Sequence, residues 1–382
     1  MKNNIKDIIP AFFLWRIFLF IVLCFSINNI PLNFNFLGGG MQEYLKSPYL
    51  WSFANFDGEH YLSIAYKGYS PLKYFFFPFY PLLISMFGKI FSLEFSIYAL
   101  TGILISNVSF VIALLGLSKI INLDYKKKDV IFTLILLLVF PTSFYFGSLY
   151  NESVFLALVV WSFYFARRKK WLFSGVLGMA ATATRLVGIA LILGLLTEII
   201  LQRIKDKKMD LKAPALSLMM VPLGLLIYMA YLYLFTGDPL EFFHSVGIFG
   251  EQRTAGIVLL PQVFYRYIFK ILPNINYDYF PVVFTTWLEF ITALIFGLIS
   301  VVAFFKTRLS YAVYLFFGFL IPTFSGSFSS LPRYVLVLFP AFMIAAFYVG
   351  NLSKTARSMI ILISFIGLAV ATSLFVRGYW IS

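Results

Sequence analysis

Apolar residues run through this chain in blocks of about twenty, the length a helix needs to cross a bilayer. Short basic joints and two aromatic-rich stretches separate the blocks. The pattern predicts spans near residues 9–29, 97–119, 130–147, 152–167, 171–183, 186–201, 213–235, 284–305, 310–323, 333–350 and 357–376. It describes an all-α polytopic membrane protein of about eleven crossings, with residues 1–382 as one transmembrane domain. Residues 171–201 read as two short spans turning near Thr182–Arg185, because an even number of crossings keeps the basic loops on both sides in one compartment. One long tilted span is the alternative, and it would reverse the later topology. Two long segments remain, an outer loop 1 over about 30–96 and an outer loop 2 over about 236–283. Long loops are usually functional or disordered, and these are aromatic- and Pro-rich, which argues against disorder. Inside the first, Phe75–Phe91 is apolar but interrupted by Pro78 and Pro81, which predicts a short interfacial or re-entrant helix.

Composition and charge sharpen this picture. The chain is 61% hydrophobic and 12% charged, about half the charge of a soluble domain. A net charge of +14 invites a nucleic-acid partner. Of the 30 Lys and Arg, however, twenty fall on the joints assigned to the cytoplasm, including Lys126–Lys128, Arg167–Lys170, Arg203, Lys205, Lys207, Lys208 and Lys212. That is the positive-inside bias of a membrane protein, so no nucleic acid is expected. Both long loops, with Arg185, Arg253 and Arg333, then face outward. The single cysteine, Cys24, excludes an intrachain disulfide and a thiolate metal site. Lys2 and Lys6 followed by Ile8–Ile27, without a small-residue cleavage site, read as a retained signal-anchor. A compact chain without retrieval signals fits the plasma membrane of a bacterium or archaeon, with the endoplasmic reticulum and a luminal site as the alternative.

Candidate chemistry gathers in Asn55–Tyr69, a polar island with helical spacing. Asp57, His60, Tyr61 and Ile64 fall on one face. Asp57 there is either an N-cap or a general base accepting a proton from an incoming hydroxyl. His60 either donates to a phosphate oxygen or bonds within the loop. Glu59 points elsewhere; only an irregular backbone at Asp57 would let Asp57 and Glu59 share a divalent metal. Arg185 and Arg333, at the outer edge of their spans, either grip a phosphate through paired N–H donors or snorkel to headgroups. Arg16 and Glu289, nominally inside spans, read as helix–helix pairing or snorkelling. In Pro141–Ser153, Glu152 caps the fourth span or contacts substrate. In Thr236–His244, Asp238 and Pro239 start a short helix, with Glu241 and His244 as cavity-lining alternatives.

Phe56-Asp57…His60, Ile64-Ala65…Gly68-Tyr69, Phe76–Pro81, Tyr150…Glu152-Ser153, Ala183-Thr184-Arg185, Gly237-Asp238-Pro239 and Pro332-Arg333-Tyr334 occur in that order. The ordered set resembles the PIG-V-type mannosyltransferases, within the GT-C class of membrane glycosyltransferases. It departs from them at Phe56, where the family carries Trp, and at Leu186-Val187, where it carries a polar pair. The resemblance implies a GT-C-like fold with short interfacial helices in the two outer loops. It implies an inverting transfer of a sugar, mannose by family, from a polyprenyl-phosphate donor to a hydroxyl of a lipid, glycan or protein acceptor. Asp57 would be the base, with Arg185, Arg333 and His60 on the donor phosphate. Glu59, Tyr61, Tyr74, Tyr80, Tyr150, Glu152 and His244 would surround the substrates. A metal is often dispensable in this class, so no cofactor is required, with a divalent ion on Asp57 and Glu59 as the alternative. The absence of a Gly-rich nucleotide cradle speaks against a nucleotide sugar. A transporter or flippase of a lipid-linked substrate is the competing reading; polar clusters at one edge and unmatched halves weigh against it.

Overall fold

The computed structural model describes residues 2–91, 93–245 and 256–381, with side chains from Asp7 onward. Arg253, assigned to the outer side, lies outside the described residues, as does the rest of 246–255 in outer loop 2. Among the described residues the regular structure is helical, without strands. In chain order the principal helices are α1 (Lys2–Asn29), α2 (Asp57–Lys67), α3 (Phe79–Phe91), α4 (Phe95–Ile121), α5 (Lys127–Val139), α6 (Glu152–Arg167) and α7 (Trp171–Thr182). They are followed by α8 (Ala190–Lys205), α9 (Lys212–Thr236), α10 (Phe280–Lys306), α11 (Leu309–Thr323), α12 (Leu331–Val337), α13 (Phe339–Gly350) and α14 (Lys354–Val376).

Among the described residues, six helical segments are long and apolar enough to cross a membrane, and a seventh counts if α12 and α13, bent by 86°, are one span. The chain is an integral membrane protein, and length and apolarity single out six or seven of the eleven predicted spans. The remaining four predicted spans correspond to α5, α6, α7 and α11, of 13, 16, 12 and 15 residues. The block over 130–147 is cut because α5 stops at Val139. Pro141 has no N–H to continue the helix and pushes Phe140 into an extended conformation. A tight turn, Ser143–Gly147, follows. The block over 333–350 is broken at Leu338, where Pro340 sits in the first turn of the new helix. The predicted interruption at Thr182–Arg185 is present: α7 ends at Thr182, and helical structure resumes at Leu186.

Packing follows from small residues and from lipid-facing apolar ones. Helix α4 packs on α6, α6 on α7, α8 on α11, α5 on α13, and α1 on α14. Helix α7 meets α9 so closely that a Cβ on Gly224 would lie 2.0 Å from the Met179 carbonyl oxygen. Small residues at such crossings let backbones approach, which is how helices associate where lipid supplies no hydrophobic drive. Leu14, Phe25, Leu104, Leu234, Leu298 and Ile363 are exposed, as on a surface that faces acyl chains. Arg16 packs on an aromatic ring instead of a carboxylate. Its guanidinium lies 4.4 Å from the Phe53 ring centroid, and its buried Nη1 has no hydrogen-bond partner among the described residues.

At one end of the bundle, largely buried ion pairs tie together the ends of α4, α6, α8 and α11. Arg167 donates to both oxygens of Asp124 at 2.5 and 2.7 Å. Arg308 donates to both oxygens of the fully buried Glu198 at 2.6 and 2.8 Å, and Ser310 and Gln202 donate to the same carboxylate.

Candidate active site

The aspartate of the first outer loop is set by a backbone held from several directions. Asn55 is fully buried; its Oδ1 accepts from the Gly38 N–H at 2.9 Å, and its Nδ2 donates to the Phe375 carbonyl at 2.8 Å. The Asn55 carbonyl accepts from the Tyr150 hydroxyl at 2.8 Å. Phe56 donates its N–H to the Phe36 carbonyl and takes φ 57°, ψ −120°. For a bulky residue that conformation costs about 1–3 kcal/mol and persists only where its surroundings fix it. Phe56 is the residue before α2, so it, rather than Asp57, occupies the cap position. Asp57 is the first helical residue, and its Oδ2 accepts from Arg333 Nη1 at 2.5 Å.

Arg333 arrives on α12, a short helix whose start is anchored by Thr142 Oγ1 donating to the Pro332 carbonyl at 2.8 Å. Arg185 sits in extended backbone between α7 and the turn Leu186–Ile189. Its Nη1 donates to Asn151 Oδ1 at 3.0 Å and to Glu152 Oε1 at 2.6 Å. The same Glu152 oxygen lies 3.5 Å from Arg333 Nε. Asp57, Glu152, Arg185 and Arg333 thus form one chain of alternating charge, two acids and two bases. Glu152 is the first residue of α6 and is 1% exposed, with the adjacent Asn151 as cap; a carboxylate there is also favoured by the helix dipole. Its Oε2 and Arg333 Nε are buried without hydrogen-bond partners among the described residues. Aromatic rings box the guanidinium groups: Arg333 lies 5.3–5.5 Å from Tyr334, Tyr150 and Tyr145, and Arg185 lies 5.0 Å from Tyr334.

This constellation opens on a cavity of about 160 Å³ lined by Asp57, Tyr61, Phe76, Asn151, Arg185, Phe243 and Arg333, among others. Phe75, Phe76 and Phe77, just before α3, line one side, and the Phe79 N–H donates to the Ala183 carbonyl at 3.0 Å, two residues before Arg185. His60 stacks on Phe76 with ring centroids 4.8 Å apart. Burial pushes its imidazole below the ordinary histidine pKa; Asp57 opposes this and Lys73 adds to it. Burial raises the Glu59 carboxyl, and Lys73 opposes.

The remaining nominated residues divide. Tyr61 lines the cavity and meets Tyr80 and Tyr150 edge-on. Tyr80 lies behind it, fully buried, donating to the Gly102 carbonyl. Tyr150 packs against the Arg333 guanidinium. Tyr74 stacks on Tyr69 in a neighbouring aromatic cluster with Tyr228. His244 is half exposed and engages Asp238 at 2.5 Å; its neighbour Phe243 is the one that reaches the cavity. Asp238 also accepts from the Leu240 N–H, so it shapes the turn while Leu240 caps the short helix Glu241–His244. Among the described residues, no group of three or more His, Cys, Asp or Glu side chains is arranged to hold a metal ion. Sequence reasoning leaves out Asn151 and Asn55. Both are findable by position: Asn151 lies between Tyr150 and Glu152, and Asn55 opens the polar island Asn55–Tyr69.

The fold has a counterpart of known structure. ArnT from Cupriavidus metallidurans, solved bound to undecaprenyl phosphate, matches with a TM-score of 0.50 over 96% of this chain and 76% of that one, at 16% identity. The chain shares the fold of that protein. No family model and no curated protein matches it. In that fold α2 and α12 come from opposite ends of the sequence, yet they meet at the Asp57–Arg333 pair.

Proposed function

We infer that this protein is a membrane glycosyltransferase that moves a sugar from a polyprenyl phosphate to an acceptor hydroxyl, with inversion. The observation that carries the reading is the Asp57–Arg333 pair. Two residues 276 positions apart meet at 2.5 Å, in a cavity that Arg185 also lines. The likeness to a protein solved with undecaprenyl phosphate supports a polyprenyl-phosphate donor. The motif order supports a PIG-V-like mannosyl donor. The bias of Lys and Arg toward the inner joints supports a site on the outer face, with α5, α6, α7 and α11 as the extra crossings that bring the count to eleven.

The charges suit the chemistry. A phosphodiester donor brings one negative charge to the quartet. In the reaction, the acceptor oxygen attacks the anomeric carbon from the face opposite the phosphate, forming the new C–O bond. The C–O bond to the phosphate breaks, and its electron pair leaves on the phosphate oxygen. The acceptor proton passes to Asp57, which becomes neutral. That neutralisation releases Arg333 from its carboxylate at the moment the departing phosphate gains a second charge. A guanidinium already held in a buried, aromatic box stabilises that charge with little reorganisation. Glu152 acts as a positioning residue, keeping both guanidinium groups aimed. His60, stacked on the cavity-lining Phe76, would turn toward a phosphate oxygen. With Arg333 on Asp57 and Glu59 in the field of Lys73, the reading needs no divalent metal.

The test is transfer by purified Asp57→Asn from polyprenyl-phosphate mannose, glucose and aminosugars. Loss of about 10²–10⁴-fold is expected for a removed general base. Turnover near wild type would reject Asp57 in that role, and facilitated movement of the lipid without covalent product would favour the transporter.

A further inference from the structure

A second cavity, of about 340 Å³, lies against α10 and the segment before α12. Its chemistry differs from the first. Glu289, Thr285, Thr286, Ser327, Ser329 and Trp380 line it, and no Lys or Arg does so among the described residues. Glu289 is 6% exposed, and its Oε2 accepts from the Tyr267 hydroxyl at 2.8 Å. That hydroxyl is itself fixed, accepting from the Phe328 N–H at 3.2 Å. Trp380 Nε1 is buried without a hydrogen-bond partner among the described residues. A carboxylate within an apolar helix is costly and tends to mark a site, and this one borders a polar cavity.

The two cavities share structure. Phe324 and Ser325 line the first, while Ser327 and Ser329 line the second, so a single segment is the wall between them. The Trp380 ring meets Phe56 edge-on at 5.0 Å, and Phe56 is the strained residue that sets Asp57.

We propose that this second cavity holds the uncharged, hydroxyl-rich ring of a carbohydrate acceptor, with Glu289 and Trp380 as its selecting residues. This rests on the glycosyltransferase reading and deepens it. A buried carboxylate accepts from ring hydroxyls, and the indole N–H donates to a ring oxygen. Threonine and serine hydroxyls do either, and aromatic faces cover the C–H side of the ring. A wall of hydroxyls and one carboxylate suits a neutral occupant better than a phosphate. The contact between Trp380 and Phe56 puts the acceptor ring beside the residue that precedes the base, while the donor phosphate keeps to the cavity of Arg185 and Arg333.

The experiment uses the full chain in lipid nanodiscs. Octyl mannoside, octyl glucoside and octyl N-acetylglucosaminide are titrated against tryptophan fluorescence, with Trp380→Phe defining the responding signal. Undecaprenyl phosphate binding is measured in parallel. At least one glycoside should saturate, and Glu289→Gln should weaken it by about 10–100-fold, the loss of a charged hydrogen bond. Undecaprenyl phosphate should bind alike in all variants, and octyl phosphate should not compete. If Glu289→Gln fails to fold, Thr286→Val decides, with a smaller weakening expected. Absence of saturation by every glycoside, or saturation that both substitutions leave unchanged, overturns the proposal. Undecaprenyl phosphate binding without a glycoside response removes this inference and leaves the transferase reading standing. A glycoside response without undecaprenyl phosphate binding removes the transferase reading, and with it the acceptor role proposed for this cavity.

Discussion

One helix carries two ionic networks with opposite habits. Helix α6 begins at Glu152 and ends at Arg167, so the networks lie roughly 22 Å apart along a single rod. Each gathers two carboxylates and two arginines. At the Arg167 end the forks are closed: Arg167 grips both oxygens of Asp124, and Arg308 grips both oxygens of Glu198. At the Glu152 end the forks are open: Arg185 and Arg333 each reach their carboxylate through Nη1, and Glu152 Oε2 and Arg333 Nε are unsatisfied. Saturated pairs of this kind hold helices in register. Unsaturated ones beside a cavity have bonding capacity left for a ligand.

The contrast can be broken by substitution. Glu198→Ala leaves Arg308 and Gln202 without their carboxylate and should cost about 3–5 kcal/mol of stability. Thermal unfolding in detergent reads this, and transfer per folded molecule should stay at the wild-type level. Arg333→Lys keeps the charge but loses the planar fork, and should lower transfer by about 10²-fold with little change in unfolding temperature. If it destabilised the protein as much as Glu198→Ala does, the two networks would be alike in kind.

Smaller effects sharpen the same comparison. Folding lowers the His60 pKa below its ordinary value of 6.5, so the unfolded state binds more protons between the two values. Stability therefore rises with pH through that window and is lost as pH falls below about 6.5. Wild type should lose more melting temperature on such acidification than His60→Phe does. Least of all, chelation with EDTA should leave transfer unchanged, since guanidinium groups neutralise the phosphate; a loss restored by a divalent ion would return Asp57 and Glu59 to consideration.

Much of this molecule is legible in sequence because burying charge among apolar residues is expensive. Asp57, Glu152, Arg185 and Arg333 stand out one by one against their surroundings. Their pairing does not, because nothing local links positions 276 residues apart. The closed network is hidden for the same reason. Arg167 and Arg308 look like solvated inner-loop charges, whereas their grip on Asp124 and Glu198 is a tertiary fact. Span boundaries blur where apolar content continues past a backbone break, at Pro141 and at Leu338, since hydropathy does not register a missing N–H. Trp380 carries no signal; an indole in such a chain looks ordinary until its neighbours are known.

The right-angled break between α12 and α13 also bears on how the sequence can vary. In a continuous helix, one inserted residue turns everything beyond it by about 100°. Here the corner at Leu338 absorbs such a shift. A shift in the register of Phe339–Gly350 therefore need not re-aim Arg333, which lies on the other side of the corner.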